Sequence, residues 1–358
     1  MKEKTVIIWS TYISDLLDGK VTGIGVQLYL WARTFVEHGW RVVSYTSRES
    51  LTKEGIIFKH YGSWGKLRFF YEWVKIINSI VFFKPSLIIS RGTERAQYAL
   101  AVLSKMFRIK YVFFAASDKN FEKDFVIAGG KINTILFKRS YHLIKYFVVQ
   151  NEYQRNSLAV NYNKNSFLLF NIWKDFSDYK SMPISKTDVL WVANLRRLKR
   201  AEWLINAAKV MPEYSFTIVG GRFNDAAEAA YYTHIEEEAK VLENVHFLGP
   251  KDLAETNDIV SQARLLCCTS THEGFPNTFL QAWSNSIPVI STVNPSDVIT
   301  EHNLGSVVED EINFQQQIKS FLEDQKMYDE VSSSIKRYFR NHHDADSVYE
   351  KFISWINM

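Results

Sequence analysis

Residues 271–284, THEGFPNTFLQAWS, hold the densest set of groups able to receive a ligand, and they follow an apolar, strand-like run at 264–270. Glu273 stands at the mouth of a turn containing Gly274 and Pro276, and a short helix is expected from about Phe275 to Trp283, with Gln281 on it. A strand that feeds a Gly/Pro turn into a helix leaves backbone N–H groups pointing out of the helix N-terminus. That end suits a phosphate or sugar oxygen. An ordinary capped core helix has the same local pattern, so the rest of the chain has to decide.

Three further pieces fit the same chemistry. Residues 193–200, ANLRRLKR, crowd basic side chains into a strand-to-helix loop, where Arg can grip a diphosphate as a fork and Lys as a point charge. A solvated basic loop is the alternative. Residues 22–25, TGIG, open the first long helix with a turn that lets backbone approach a ligand closely. They are not a dinucleotide fingerprint, which would need glycine where Leu28 stands. Two strand ends followed by glycine, at Gly220 and Gly249, suit the walls of a base pocket.

The elements that must position these residues alternate. Short apolar strands at 6–9, 41–46, 86–90, 111–115, 146–150 and 166–170 are interleaved with helices at 23–38, 93–106, 125–141 and 152–160, with a loop expected at 10–22. Residues 171–187, with Pro183 and several Ser and Lys, read as a linker. The alternation restarts with strands at 188–193, 215–219, 244–248, 264–269, 288–291 and 306–308, separated by helices at 201–210, 226–242 and 253–262 and followed by helices over 314–340. Continuous apolar strands alternating with helices mean parallel sheets covered on both faces. The expected architecture is α/β, with two doubly wound, Rossmann-like domains facing across a cleft. The first spans 1–172, completed by a C-terminal helix at about 343–358, and the second spans 187–342.

Composition narrows the class. At 358 residues the chain suits two domains, and 46% hydrophobic with 23% charged residues is ordinary for a folded protein. No stretch approaches the roughly 18 apolar residues of a membrane span, and the opening apolar run is too short for a signal-peptide core. Cys267 and Cys268 are neighbours on one strand and point to opposite faces, so neither a structural disulfide nor a metal pair is expected. These features point to a cytoplasmic place. The net charge of +4 hides an asymmetry: residues 1–170 carry 25 Lys and Arg against 12 Asp and Glu, and the rest carry 18 against 27. A basic first half suggests an anionic partner. The stretch 64–84 mixes Trp64, Lys66, Arg68, Phe69, Phe70, Tyr71, Trp73 and Lys75, and reads either as a core-facing helix or as an amphipathic helix resting on anionic lipid.

Taken together these motifs resemble the family 4 retaining glycosyltransferases of the GT-B fold, also described as glycosyl transferases group 1. The resemblance is strongest over 188–305. Residues 192–200 look like the family's basic loop, with its lysine on Lys199. The usual arginine falls on Asn194, and Arg196 is the nearest replacement. Residues 273–281 match the family's E-x7-E signature at Glu273, while Gln281 stands in place of the second glutamate. The match of Asp118 to a further catalytic position is poor.

The resemblance implies that Glu273, Lys199, Arg196 and Asp118 form the catalytic set. Gly23, Gly25, Asn194, Gly220, Gly249, Gly274, Phe275, Asn277, Thr278 and Gln281 would bind the donor. It implies a UDP- or GDP-linked sugar as donor and no metal or cofactor, with the first domain taking a glycan or lipid-linked glycan acceptor and the second the donor. A peripheral place on the inner face of the plasma membrane is left open. Two other classes remain: a nucleotide-sugar epimerase or hydrolase of the same fold, and a non-catalytic nucleotide-sugar-binding relative. Nucleic-acid binding is not expected, because no base-reading motif accompanies the basic charge.

Overall fold

A computed structural model describes residues 4–17, 22–62, 68–127, 130–174, 186–223, 225–273 and 275–358. The chain divides into two compact units, one of residues Met1–Ile172 with Ala345–Met358 and one of Trp173–Asp344.

The first unit is built on eight strands: β1 (Thr5–Ile8), β2 (Arg41–Thr46), β3 (Leu51–Lys53), β4 (Ile56–His60), β5 (Leu87–Arg91), β6 (Lys110–Phe114), β7 (Tyr146–Val149) and β8 (Phe167–Leu168). Their order is β3-β4-β2-β1-β5-β6-β7-β8, parallel except for β3. β1 is central, with Val6 opposite Val42 on one side and Leu87 on the other. Among the described residues six helices connect the strands: α1 (Tyr12–Leu17), α2 (Gly23–Glu37), α3 (Arg68–Phe83), α4 (Gln97–Met106), α5 (Lys131–Leu143) and α6 (Glu152–Tyr162). Strands β1, β2, β5, β6 and β7 are buried almost throughout, as a sheet covered on both faces requires.

Several expectations are corrected here. The loop at 10–22 contains the short helix α1, and the β3–β4 hairpin went unread because its three- and five-residue strands are half exposed. The helix expected at 125–141 begins only at Lys131, because Gly130 before it holds φ 91° and ψ −176°, outside the helical region. The helix expected at 93–106 begins at Gln97. Of the stretch 64–84, residues 64–67 lie outside the described residues. Helix α3 turns Ile76, Ile80 and Phe83 into the core and leaves Val74, Val81 and Phe82 more than half exposed.

The second unit holds six parallel strands: β9 (Thr187–Val192), β10 (Phe216–Val219), β11 (Val245–Gly249), β12 (Ala263–Cys268), β13 (Val289–Ser291) and β14 (Gly305–Val307), in the order β11-β10-β9-β12-β13-β14. Around them lie α7 (Glu202–Val210), α8 (Ala226–Lys240), α9 (Leu253–Ser261), α10 (Asn277–Ser284), α11 (Val298–Glu301), α12 (Glu311–Glu323) and α13 (Gln325–His342). Gly305 passes so close to its neighbour strand that a Cβ would lie 1.9 Å from the Val289 carbonyl oxygen. The chain then returns to the first unit as α14 (Ala345–Asn357). Its apolar stripe explains the return. Phe352 is fully buried with ring centroids 5.2 Å from Trp31 and 5.7 Å from Phe114, and Trp355 stacks on Phe167 at 4.8 Å. Burying a Phe side chain stabilises by roughly 1.5–3 kcal/mol, which favours holding α14 against α2.

Candidate active site

In the second sheet the crossovers leave β9 in one direction, through β10 and β11, and β12 in the other, through β13 and β14. The loops that follow β9 and β12 therefore diverge at the switch point, where an open α/β sheet presents a crevice at its strand C-termini. Both basic and acidic candidates from the sequence lie on these two loops.

The loop after β9 is held by buried anchors. Leu195 is fully buried and its N–H donates to the Gly221 carbonyl at 3.0 Å. Gly220 is required beneath it, since a Cβ there would lie 1.8 Å from the Ala193 carbonyl oxygen. Arg197–Lys199 then form a 3-10 turn ended by Arg200 in the left-handed region at φ 50°. Hydrogen bonds tie this turn to the end of β12. The Thr271 N–H donates to the Leu198 carbonyl at 2.8 Å, the Thr269 hydroxyl lies 2.6 Å from the Lys199 carbonyl oxygen, and Arg200 Nε donates to the Thr269 carbonyl at 2.6 Å. Trp191 Nε1 in turn donates to the Thr269 hydroxyl at 3.0 Å. Thr269, Trp191 and Ser270 escaped the sequence reading. The signal for Thr269 and Ser270 was a pair of polar residues closing a mostly apolar strand.

These straps bring Lys199 and Glu273 into contact. Lys199 Nζ pairs with Glu273 Oε1, to which the Ser270 hydroxyl also donates at 3.0 Å. The two side chains are only 16% and 22% exposed, so their attraction is screened less than that of a surface pair. Each would be left as a partly buried, uncompensated charge without the other.

The other candidates are placed differently. Arg196 turns to α8, with its guanidinium 4.4 Å above the Phe223 ring and Nε 3.9 Å from Glu228 Oε1. The Glu228 carboxylate also accepts from the Arg197 N–H at 2.8 Å. Asn194 is exposed on the loop. Gly249 ends β11 at φ 66°, and the Gly220 N–H donates to its carbonyl at 3.0 Å. Gly274 lies outside the described residues.

Helix α10 begins at Asn277 rather than Phe275, because Pro276 takes the cap position with an extended ψ of 126° and no side chain closes the helix end. Asn277 and Thr278 form its first turn, and Phe275 packs on Trp283 and His343 at 6.0 and 5.6 Å. Gln281 is buried, its Nε2 donating to Asn257 Oδ1 on α9 at 2.6 Å.

Asp118, Gly23 and Gly25 belong to the first unit. Asp118 Oδ1 accepts from Asn151 Nδ2 at 2.9 Å and Gln154 Nε2 at 3.0 Å. Gly25 N–H donates to the capping Thr22 hydroxyl at 3.1 Å, and a Cβ on Gly25 would lie 2.7 Å from the Tyr12 carbonyl oxygen. Close packing on α1 therefore already requires glycine there. Among the described residues no three His, Cys, Asp or Glu side chains gather into a metal-binding group, and no helix is long and apolar enough to cross a membrane. Both cysteines are buried, and burial pushes their thiol pKa values up.

Residues 186–324 match the family model of Glycosyl transferases group 1. The O-antigen biosynthesis glycosyltransferase WbnH of Escherichia coli is 33% identical over 104 residues, 28% of this chain and 27% of that protein, so the chain aligns with about a quarter of the length of this curated relative. The crystal structure of Anabaena Alr3699/HepE in complex with UDP is similar over 99% of both chains, with a TM-score of 0.73 at 16% identity. WaaG, a glycosyltransferase involved in lipopolysaccharide biosynthesis, is similar over 98% of this chain and 99% of its own, with a TM-score of 0.65 at 14% identity. At these identities the likeness is one of fold, which is that of the GT-B glycosyltransferases.

Proposed function

We propose, on the premise that this GT-B chain is a group 1 glycosyltransferase with its family domain at residues 186–324, that it moves a sugar from a nucleoside-diphosphate donor to a glycan or lipid-linked glycan acceptor in cell-surface polysaccharide biosynthesis. The observation that carries the reading is the Lys199–Glu273 pair at the switch point of the second sheet. The O-antigen role of WbnH and the UDP held by HepE support the pathway class and the donor class.

The second unit takes the donor and the first the acceptor. When the bond between the anomeric carbon and the diphosphate oxygen breaks, negative charge grows on the leaving diphosphate. Lys199 and the uncapped N–H groups at the start of α10 stabilise that charge, and Arg196 joins them by leaving Glu228. No metal is needed for this, because side-chain cations and backbone dipoles carry the charge. Glu273 holds hydroxyls of the donor sugar. The acceptor oxygen bonds to the anomeric carbon on the face the diphosphate leaves, its proton passes to the leaving phosphate oxygen, and the anomeric configuration is retained.

In the free protein the Lys199–Glu273 pair holds both side chains in place until donor divides them. The exposed apolar residues of α3 and the basic first half motivate a lipid-linked acceptor and contact with an anionic membrane.

The test is to screen UDP- and GDP-sugars by thermal shift, then to follow transfer by NMR of the anomeric proton. Retained configuration and loss of most transfer in Glu273→Ala are expected. Near-wild-type rates in Glu273→Ala would sink the assignment, and rapid donor turnover without any acceptor would point to an epimerase or hydrolase.

A further inference from the structure

Four basic residues of the first unit line one cavity, which sits where α4 and α5 end and where β6 and β7 begin. Its volume is about 240 Å³. Lys105, Arg108, Lys110 and Lys145 line it, and none of its lining residues is Asp or Glu. Lys110 and Tyr146 open their strands, so the cavity faces the strand N-termini. Open α/β sheets receive their substrates at the opposite edge.

Helix ends account for part of this charge. Basic side chains often offset the partial negative charge of helix C-termini. Lys110 Nζ does so at the end of α14, donating to the Ile356 carbonyl at 2.7 Å and to Asn357 Oδ1 at 3.2 Å. The last carbonyls of α4 are satisfied differently. The N–H groups of Phe107, Arg108 and Ile109 donate to Leu103, Lys105 and Ser104 at 2.9, 3.3 and 2.8 Å. After α5, Lys164 Nζ donates to the His142 and Ile144 carbonyls at 3.2 and 3.3 Å. Lys105, Arg108 and Lys145 are therefore not needed as caps, and among the described residues they form no ion pair. Arg108 even holds φ 57°, in the left-handed position after a helix that usually carries glycine.

A neutral group in the same cavity gives a second, independent sign. Ser104 on α4 lines it, is 2% exposed, and its hydroxyl has no hydrogen-bond partner. A helical serine commonly returns its hydroxyl to the carbonyl one turn back. Here the hydroxyl is buried and unused, which costs stability unless an outside acceptor reaches it.

We propose that this cavity is a ligand site for a phosphoryl group, with Lys105, Arg108 and Lys145 as its cations and the Ser104 hydroxyl as its buried donor. A phosphomonoester presents three strong acceptor oxygens, enough for cations on several sides and a hydroxyl together. None of these residues belongs to the Lys199–Glu273 site, so the inference stands apart from the proposed transfer reaction. The same chemistry is offered by the headgroup of an anionic lipid and by a soluble phosphate ester.

The experiment uses the full chain with inorganic phosphate at fixed ionic strength, and with phosphatidylcholine vesicles containing phosphatidic acid. Thermal unfolding and calorimetry would compare the wild type with Ser104→Ala, Lys199→Ala and the double variant Arg108→Gly with Lys145→Gln. Phosphate at ten times its apparent Kd should raise the wild-type Tm by about 3 °C. That rise should persist in Lys199→Ala and vanish in the double variant, whose new glycine suits the left-handed backbone. Ser104→Ala should weaken phosphate binding about threefold or more. Without ligand it should melt no lower than the wild type, since it removes an unpartnered buried hydroxyl. A purely structural serine would leave phosphate affinity unchanged.

No saturable phosphate binding in the wild type, or full affinity in the double variant or in Ser104→Ala, would overturn the proposal. A rise lost only in Lys199→Ala would place the phosphate at the transfer site and overturn it too. If the double variant fails to fold, the Ser104→Ala affinity decides in the same way. Ser104→Ala changes no charge, so weaker retention on the vesicles in that variant would assign the group to a lipid headgroup. Weaker phosphate binding with unchanged retention would assign it to a soluble ester.

Discussion

The Lys199 ammonium and the Glu273 carboxylate meet across 74 residues of sequence, on the loops that follow β9 and β12. Neither loop could place its residue alone. Thr269 and Thr271 bond the 3-10 turn that carries Lys199, and Ser270 bonds the carboxylate itself. The pair is thus part of the strapping between two adjacent strands.

Lys199→Ala should lower the transfer rate at saturating donor by roughly 10²–10³-fold, the effect typical of losing one donor aimed at developing negative charge. The fold should persist, because the straps to β12 run through backbone atoms of residues 198–200. Single-turnover rates beside far-UV circular dichroism check both parts. An unchanged rate would remove Lys199 from the site.

Gln281→Glu should tighten donor binding by about 1 kcal/mol, roughly fivefold, because a carboxylate accepts from ribose hydroxyls more strongly than an amide does. The free variant should also be less stable. Gln281 is buried and its NH2 donates to Asn257, so a glutamate loses that bond and must dehydrate its charge unless Asn257 turns its own NH2 inward. Calorimetry with the donor nucleotide and a melting curve without it would show the two opposite signs. Weaker donor binding would mean that Gln281 serves only the α9–α10 contact.

Gly220→Ala should destabilise the protein by about 2 kcal/mol or more, in the upper range of single substitutions. The added methyl would overlap the Ala193 carbonyl oxygen, a backbone atom with no room to turn aside. Because the same loop positions Lys199, activity should fall together with Tm. Wild-type activity with a lowered Tm would show that Lys199 does not depend on this close approach.

Phe352→Ala should cost about 3–5 kcal/mol, the range for emptying an aromatic core site. Phe352 is fully buried among Trp31, Phe35 and Phe114, so little of the cavity can collapse. Denaturant unfolding would measure the loss.

Vesicles with anionic lipid should retain the protein at low salt and release it at high salt, because charge attraction to headgroups is screened. Val81→Glu with Phe82→Glu, both exposed on α3, should abolish retention without lowering Tm. Equal retention by the double variant would place the contact elsewhere.

Alternating apolar runs and helical spacings sufficed to read two doubly wound α/β halves, because the period of burial is a property of neighbouring residues. The same local character made the loop at 193–200 and the turn at 271–278 stand out as candidate ligand-binding stretches. Strand order is not local. It follows from which apolar faces bury each other across the whole unit, and only the folded sheet set β9 beside β12 so that Lys199 could reach Glu273. Tertiary contact also turned Arg196 to Phe223 and Glu228, and buried the Gln281 amide on Asn257. The need for glycine at 220 lies in the Ala193 carbonyl. A residue type states what a side chain can do. Its neighbours, brought from distant parts of the chain, determine which of those things it does.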